Sequence, residues 1–226
     1  MNRLENFSWG ALEAHDKELK DLIFQEIWID RIYHRHFEVK SGDIVVDVGA
    51  SVGPFSCLVA ENNPSQIYTF EPSKTEFPAL VKNMRGLPAC HINKAIWEGD
   101  GFTNQLDVYA YSGETVETMK FKTFRELYAI DRIDFLKTDC EGGEYYIFNE
   151  ENIDFLVENV GVIVGEWHLD TPERKEMFRR FRDLYLPRFK NFYVYSVDGS
   201  DIKWDFYNEH FLQYYNQVII HIDNCK

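Results

Sequence analysis

The sequence predicts an α/β domain built on a doubly wound, mostly parallel sheet, and three observations carry that reading. Short apolar, β-branched runs such as Ile44 to Val48, Ile133 to Thr138 and Val160 to Val164 alternate with helical patterns, the arrangement that builds buried parallel strands. The first run leads into a glycine-spaced turn, Asp47-Val48-Gly49-Ala50-Ser51-Val52-Gly53, and Pro54 then suits the first turn of a helix because that position needs no backbone donor. Acids and a histidine gather where the strands end, at Asp47, Glu71, Asp139, Glu141, Glu166 and His168.

The elements follow in order. Leu12, Leu19, Leu22, Ile23, Ile27, Trp28 and Ile32 recur at helical spacing, so one or two amphipathic helices span about 11 to 37, and Ser41-Gly42-Asp43 ends them. Residues 1–40 are read as a helical extension and 41–226 as the domain proper. After the first strand and its helix comes a second strand, Gln66 to Phe70, ending at Glu71. Ser73 caps a helix to Met84 that stops at Gly86, and His91 to Trp97 reads as a short third strand. Alternation around Ser112-Gly113 suggests a hairpin over about 101 to 122. Thr123 to Tyr128 reads as one or two helical turns. Thr171-Pro172-Glu173 caps a helix running to about Tyr185, and two tail strands lie near Phe192 to Val197 and Gln217 to Ile222.

Composition excludes several classes. A chain of 226 residues is long enough for one sizeable core, and a formal charge of −14, from 38 acids against 24 Lys plus Arg, disfavours long nucleic acid as a partner. No stretch is apolar enough to span a membrane and the first residues lack a signal-peptide core, so a soluble, cytoplasmic protein is expected. Cys57, Cys90, Cys140 and Cys225 are scattered without a Cys-x-x-Cys pair and are expected as free thiols rather than zinc ligands.

The glycine spacing narrows the cofactor. A P-loop needs Gly-Lys-Ser/Thr, which is absent, and a dinucleotide loop wants G-x-G-x-x-G, whereas position 51 is Ser. Glu71, at the end of the second strand, is placed to accept hydrogen bonds from ribose hydroxyls in either a nicotinamide or another adenosine cofactor. In an open sheet the strand-end acids and His168 share one crevice, with Asn93 and Lys94 near the third strand.

The run from Ile44 to about His168 resembles the FkbM-type family of class I S-adenosylmethionine-dependent methyltransferases. The likeness lies in "VVDVGASVGPFS", "YTFEPSKTEFPALVKNM", "NKAI", "IDFLKTDCEGGEY" and "GEWH", in the family's order. The family's loop more often reads Gly-Ala-Asn-x-Gly, and Ser51 replaces the Asn. The resemblance implies a Rossmann-like, seven-stranded sheet with an antiparallel edge strand, and methyl transfer to a hydroxyl of a sugar, glycan or small natural product. It further implies that Asp47 supports the loop, that Gly49, Ala50, Ser51 and Gly53 carry the methionine moiety, that Glu71 and Pro72 hold ribose, and that Asn93, Ala95 and Ile96 border adenine.

An aliphatic hydroxyl keeps its proton at neutral pH, so a base must act on it. His168 is the expected base, with Asp139 or Glu141 as the alternative; a divalent metal on these three residues is a possibility that is not favoured, and no residue is assigned as a metal ligand. The rival readings are an NAD-dependent oxidoreductase, lacking its glycine pattern, and a non-catalytic S-adenosylmethionine-binding module.

Overall fold

The computed structural model describes residues 7–10, 17–104, 115–208 and 210–224. Ten strands are present among them: β1 (Ile44–Val48), β2 (Gln66–Phe70), β3 (Ala89–Ile92), β4 (Ala95–Ile96), β5 (Gly101–Thr103), β6 (Val116–Met119), β7 (Ile133–Thr138), β8 (Val160–His168), β9 (Asn191–Tyr195) and β10 (Gln217–Asp223). Seven form one sheet in the order β3-β2-β1-β7-β8-β10-β9. All pairings from β3 to β8 are parallel, and β10 runs antiparallel to both neighbours. The mostly parallel sheet expected from the sequence is therefore present.

Side chains of β1 alternate between two cores, as the pleat requires. Val46 and Val48 enter one apolar cluster with Phe70, Leu136, Ile163 and Trp167, while Val45 enters another with Phe135, Val162 and Val164. The second cluster is closed by α2 (Pro54–Val59) and α3 (Phe77–Asn83), through Phe55, Val59 and Leu80. The first is closed by α4 (Phe121–Leu127), α5 (Glu144–Ile147), α6 (Ile153–Asn159) and α7 (Pro172–Arg180), through Phe121, Phe124, Ile147, Leu156 and Phe178. Helices on both faces make the sheet doubly wound.

Two departures from expectation have local causes, and one expected hairpin is present. The antiparallel strand, expected at the edge, lies one place inside it: Val218, Ile219, Ile220, His221 and Ile222 are all buried, so β10 needs neighbours on both sides, and the more exposed β9 takes the edge. The run His91 to Trp97 divides at Asn93, whose side chain bonds the Glu71 carbonyl at 2.7 Å; β3 pairs with β2 and β4 joins a small second sheet with β6 and β5. The expected hairpin is the antiparallel β5–β6 pair, its Ser112-Gly113 turn lying outside the described residues.

In the N-terminal segment, α1 (Lys17–Phe24) passes into a π-helical turn over Gln25–Ile29, and Arg31 at φ 51° breaks the run before a tight turn at Ile32–His34. Residues 11–16 lie outside the described residues. Ile27, Ile32, Tyr33 and Val39 pack into the same cluster as Val45 and Phe55, which fixes this segment against that face of the sheet. Thr171 caps α7 as expected, its side chain accepting from the Arg174 amide at 3.1 Å.

Candidate functional site

The strand order reverses between β1 and β7, and the crevice beyond their carboxyl ends is where open α/β sheets place ligands. The turn after β1 is shaped by two close approaches. Gly49 has φ +80°, and a Cβ there would fall onto the Asp139 carbonyl oxygen, so only glycine lets β1 and β7 end side by side. Its amide and that of Ala50 donate to the Phe70 carbonyl at 3.1 and 2.8 Å, fastening the turn to β2.

Ser51, also left-handed at φ +48°, donates its amide to Glu71 Oε2 at 2.7 Å and its hydroxyl to Glu76 Oε2 at 2.8 Å. Glu71 is 2% exposed, and its other carboxylate oxygen accepts from the Ser73 amide at 2.7 Å. The acid expected to read ribose thus also staples the glycine turn to the end of β2.

A cleft of about 430 Å³ opens here. Gly49, Ser51, Glu71, Pro72, Ala95 and Ile96 line one half, and Asp139, Glu141, Glu166 and His168 line the other, with Leu19, Leu22, Ile23 and Glu26 contributed by the N-terminal segment. Four of the expected residues do not line it. Asp47, fully buried, accepts from Ser56 Oγ at 2.6 Å and faces Lys137 Nζ at 3.2 Å. Ala50 is buried, Gly53 turns the chain into α2 at φ +90°, and Asn93 holds the Glu71 carbonyl. These four support the wall from behind.

Beneath the acidic half sits a buried ammonium that the site assignment from sequence missed, although it lies in the K-x-D run. Lys137 Nζ donates to the Gly49 carbonyl at 2.7 Å and lies 3.7 Å from Asp139 Oδ2. Burial lowers its pKa, and Asp47 and Asp139 outweigh burial, so the net direction is upward and the ammonium stays charged. Tyr33 Oη donates to the same Asp139 oxygen at 2.8 Å, and its phenol is held well above the usual range by burial and then by Asp139.

His168 differs from the neutral base expected of it. Its Nδ1 lies 3.3 Å from Glu144 Oε1, and its Nε2 lies 3.3 Å from Glu141 Oε2 and 3.7 Å from Glu166 Oε1. Burial alone would lower its pKa, but Glu144, then Glu141 and Asp139, push it up to about 10, so the ring is an imidazolium at neutral pH. Glu144, fully buried, also accepts the Cys140 and Gly142 amides at 2.8 and 2.9 Å, which fixes the turn that carries Glu141 at φ +57°.

Two other carboxyls are poised near neutrality. Burial and then Asp139 raise Glu166 to about 8 and Glu26 to about 7. Burial also raises Glu141, against the opposing pull of His168. Among the described residues no group of His, Cys, Asp and Glu has the arrangement to hold a metal ion, and no helix is long and apolar enough to cross a membrane.

Comparison with known proteins bears on the same region. A family model described as "Methyltransferase FkbM domain" matches residues 47–195. The 31-O-demethyl-FK506 methyltransferase FkbM of Streptomyces tacrolimicus is 38% identical over 77 residues, which is 33% of this chain and 30% of that protein. The match thus spans less than a third of the curated relative's length. Among solved structures, one from Listeria monocytogenes assigned as an S-adenosylmethionine dependent methyltransferase superposes with a TM-score of 0.53 at 10% identity, covering 91% of this chain and 100% of that one. Another from Klebsiella pneumoniae, assigned as an O-methyltransferase, gives 0.51 at 13% identity over 99% and 88% of the two chains. At these identities the likeness shows a shared Rossmann-like fold.

Proposed function

Because the chain belongs to the FkbM methyltransferase domain family, we propose that it transfers a methyl group from S-adenosylmethionine to a hydroxyl of a sugar, glycan or small natural product. The observation that carries this reading is the cleft itself, which joins the glycine turn after β1 to the acids and imidazolium ending β7 and β8. The residues present fit the cofactor: a Cβ at position 49 would close the turn that brings backbone to the cleft, and Glu71 stands at the end of β2. Gly49 and Ser51 would hold the methionine portion, Glu71 and Pro72 the ribose, and Ala95 and Ile96 the adenine. When bound, the cofactor supplies a methyl group on a positively charged sulfur, already electrophilic, so the chain has only to align an acceptor and take its proton.

Asp139 is assigned the base. Its carboxylate is partly open to the cleft, while Tyr33 and Lys137 fix its orientation from behind. His168, charged and bracketed by carboxylates, holds Glu141 in place and offers a donor rather than an acceptor to the hydroxyl substrate. A cytoplasmic location is part of this reading, supported by the free thiols of Cys90 and Cys140.

Thermal denaturation with S-adenosylhomocysteine and with NAD tests the cofactor. The reading expects a raised melting temperature with the former alone, and a shift with NAD alone would replace it with the oxidoreductase reading. Methyl release from labelled S-adenosylmethionine over a panel of hydroxyl acceptors then separates an enzyme from a binding module.

A further inference from the structure

The acceptor half of the cleft gathers carboxyl groups faster than it gathers cations. Glu26, Asp139, Glu141, Glu166 and Asp170 are among the residues lining the cleft, against His168 and Lys94. His168 is already bracketed by Glu141 and Glu144, and Lys94 pairs with Glu117 at 3.0 Å. Lys137 stands behind the wall, tied to Gly49, Asp47 and Asp139. Glu26 arrives on the N-terminal segment, ahead of residues 47–195 that match the family, so its presence in the cleft is a feature of this chain outside the matched region.

We propose that Glu26 and Glu166 together compensate the charge of the methyl donor, releasing a proton when the positively charged donor enters the cleft and retaining it when the uncharged product occupies the same place. The proposal rests on the S-adenosylmethionine reading above. Its basis is placement: both carboxyls line the one cleft onto which Gly49 and Ser51 open. The groups facing Glu166 are Asp139, His168, Glu26 and Glu141, together with the Tyr33 phenol; those facing Glu26 are Asp139, Asp30, Glu166 and the same phenol.

With the cleft empty of ligand charge, burial and Asp139 keep both carboxyls partly protonated around neutral pH. A cation brought beside them favours the ionised form, so its binding expels protons, and by linkage its affinity climbs as pH rises through their range. The neutral product exerts no such pull. A carboxylate emptied by the donor is also positioned to receive the proton that leaves the acceptor O–H, by way of Asp139, and the cleft then holds that proton once the ligand has lost its charge.

S-adenosylmethionine and S-adenosylhomocysteine differ by one methyl group and one positive charge, so the ratio of their affinities isolates the effect. Titration calorimetry from pH 6 to 8.5, in buffers of differing ionisation enthalpy, reads both affinity and protons released. The expected result is a ratio favouring S-adenosylmethionine that grows roughly three- to tenfold across this range, the tenfold limit being one pKa unit of coupling, with proton release for that ligand alone. Glu26→Gln and Glu166→Gln should each reduce the growth and the double variant should flatten it, with folding checked by circular dichroism. The α-amino group common to both ligands cancels in the ratio to first order, so a slope surviving in the double variant would come from groups other than Glu26 and Glu166 and overturn the proposal. A flat ratio in the unmodified protein that binds both ligands would overturn it equally. If neither ligand binds, the functional reading itself fails and the proposal with it.

Discussion

Tyr33 and Asp139 are joined by a 2.8 Å hydrogen bond although 106 residues separate them in the chain. The bond ties the N-terminal segment to the end of β7, and the phenol donates to the oxygen that also faces Lys137. Asp139 is thereby held with little rotational freedom at the cleft wall, which is what a base aligned with one hydroxyl requires.

From this arrangement, Asp139→Asn should lower methyl transfer by roughly 10²–10⁴-fold while S-adenosylhomocysteine affinity stays within a few-fold. Tyr33→Phe keeps the ring and loses only the donor, so its effect should be smaller, about tenfold, and confined to turnover. Single-turnover rates and calorimetry on the two variants check this; equal losses in binding and turnover would move Asp139 out of the base role.

Gly49→Val should abolish S-adenosylhomocysteine binding and destabilise the fold by about 2–4 kcal/mol, because the residue sits at φ +80° and its Cβ would collide with backbone rather than with a movable side chain. Gly42→Ala is the control: it too has positive φ, but nothing lies within 4 Å of its Cβ. Urea denaturation of the two variants should show the Gly49 change costing clearly more. Similar losses would mean that conformation, and not the approach of β7, sets the requirement.

The charge on His168 is directly measurable. Glu144→Gln removes the strongest of the carboxylates that hold the ring protonated, so the imidazole should titrate at least one unit lower by NMR than the value near 10 in the unmodified protein. Glu144→Ala should cost about 3–5 kcal/mol in stability, since it strands a buried cation and two backbone amides. A His168 resonance that titrates near 6.5 in the unmodified protein would restore it as a candidate base.

How far the sequence reaches is visible in these same residues. The glycine turn, the acid ending β2 and the Thr171 cap are local patterns, set by a few consecutive residues, and the sequence displays them openly. Asp139, Glu141 and His168 were found because strand ends in an open sheet must share one crevice. Glu26 and Tyr33 carry no local sign of their role: a π-helical turn and a left-handed Arg31 bring Glu26 to the cleft and Tyr33 to the back of Asp139, and neither has a sequence signature here. The charge state of His168 was illegible for another reason. It depends on Glu144 and Glu141 meeting the ring inside a buried site, and a titration set by distance and desolvation is invisible to residue order.

Two buried histidines near the N-terminal segment should weaken the fold toward acid pH. His34 packs beside the rings of Phe55 and Phe135, with centroids 5.3 and 5.8 Å away, and burial followed by Arg31 lowers its pKa to about 4. His221, in β10, is fully buried beside His36 and Tyr195, and burial followed by His36 and Arg35 lowers it to about 3. In the unfolded chain both take up a proton below about 6.5, whereas the folded protein resists until 3 to 4, so the unfolded state binds more protons throughout that window. The contribution of these two histidines therefore declines as pH drops from about 6.5 toward 4, by on the order of 3 kcal/mol from His34 at full extent. His168 acts with the opposite sign: its raised pKa stabilises the fold below about 6.5 and that contribution is lost as pH climbs toward 10. Glu26 and Glu166 also oppose the buried histidines: raised to about 7 and 8, they keep protons in the fold that the unfolded chain releases above about 4.5, so the His34 contribution is read as a difference between variants rather than from the position of the maximum. His34→Phe preserves the aromatic stack and removes one titrating group, so urea melts from pH 4.5 to 7 should show a shallower acid decline than the unmodified protein. An identical decline in the two would show that His34 is already protonated in the folded state, and that its burial against Phe55 and Phe135 does not exclude the proton.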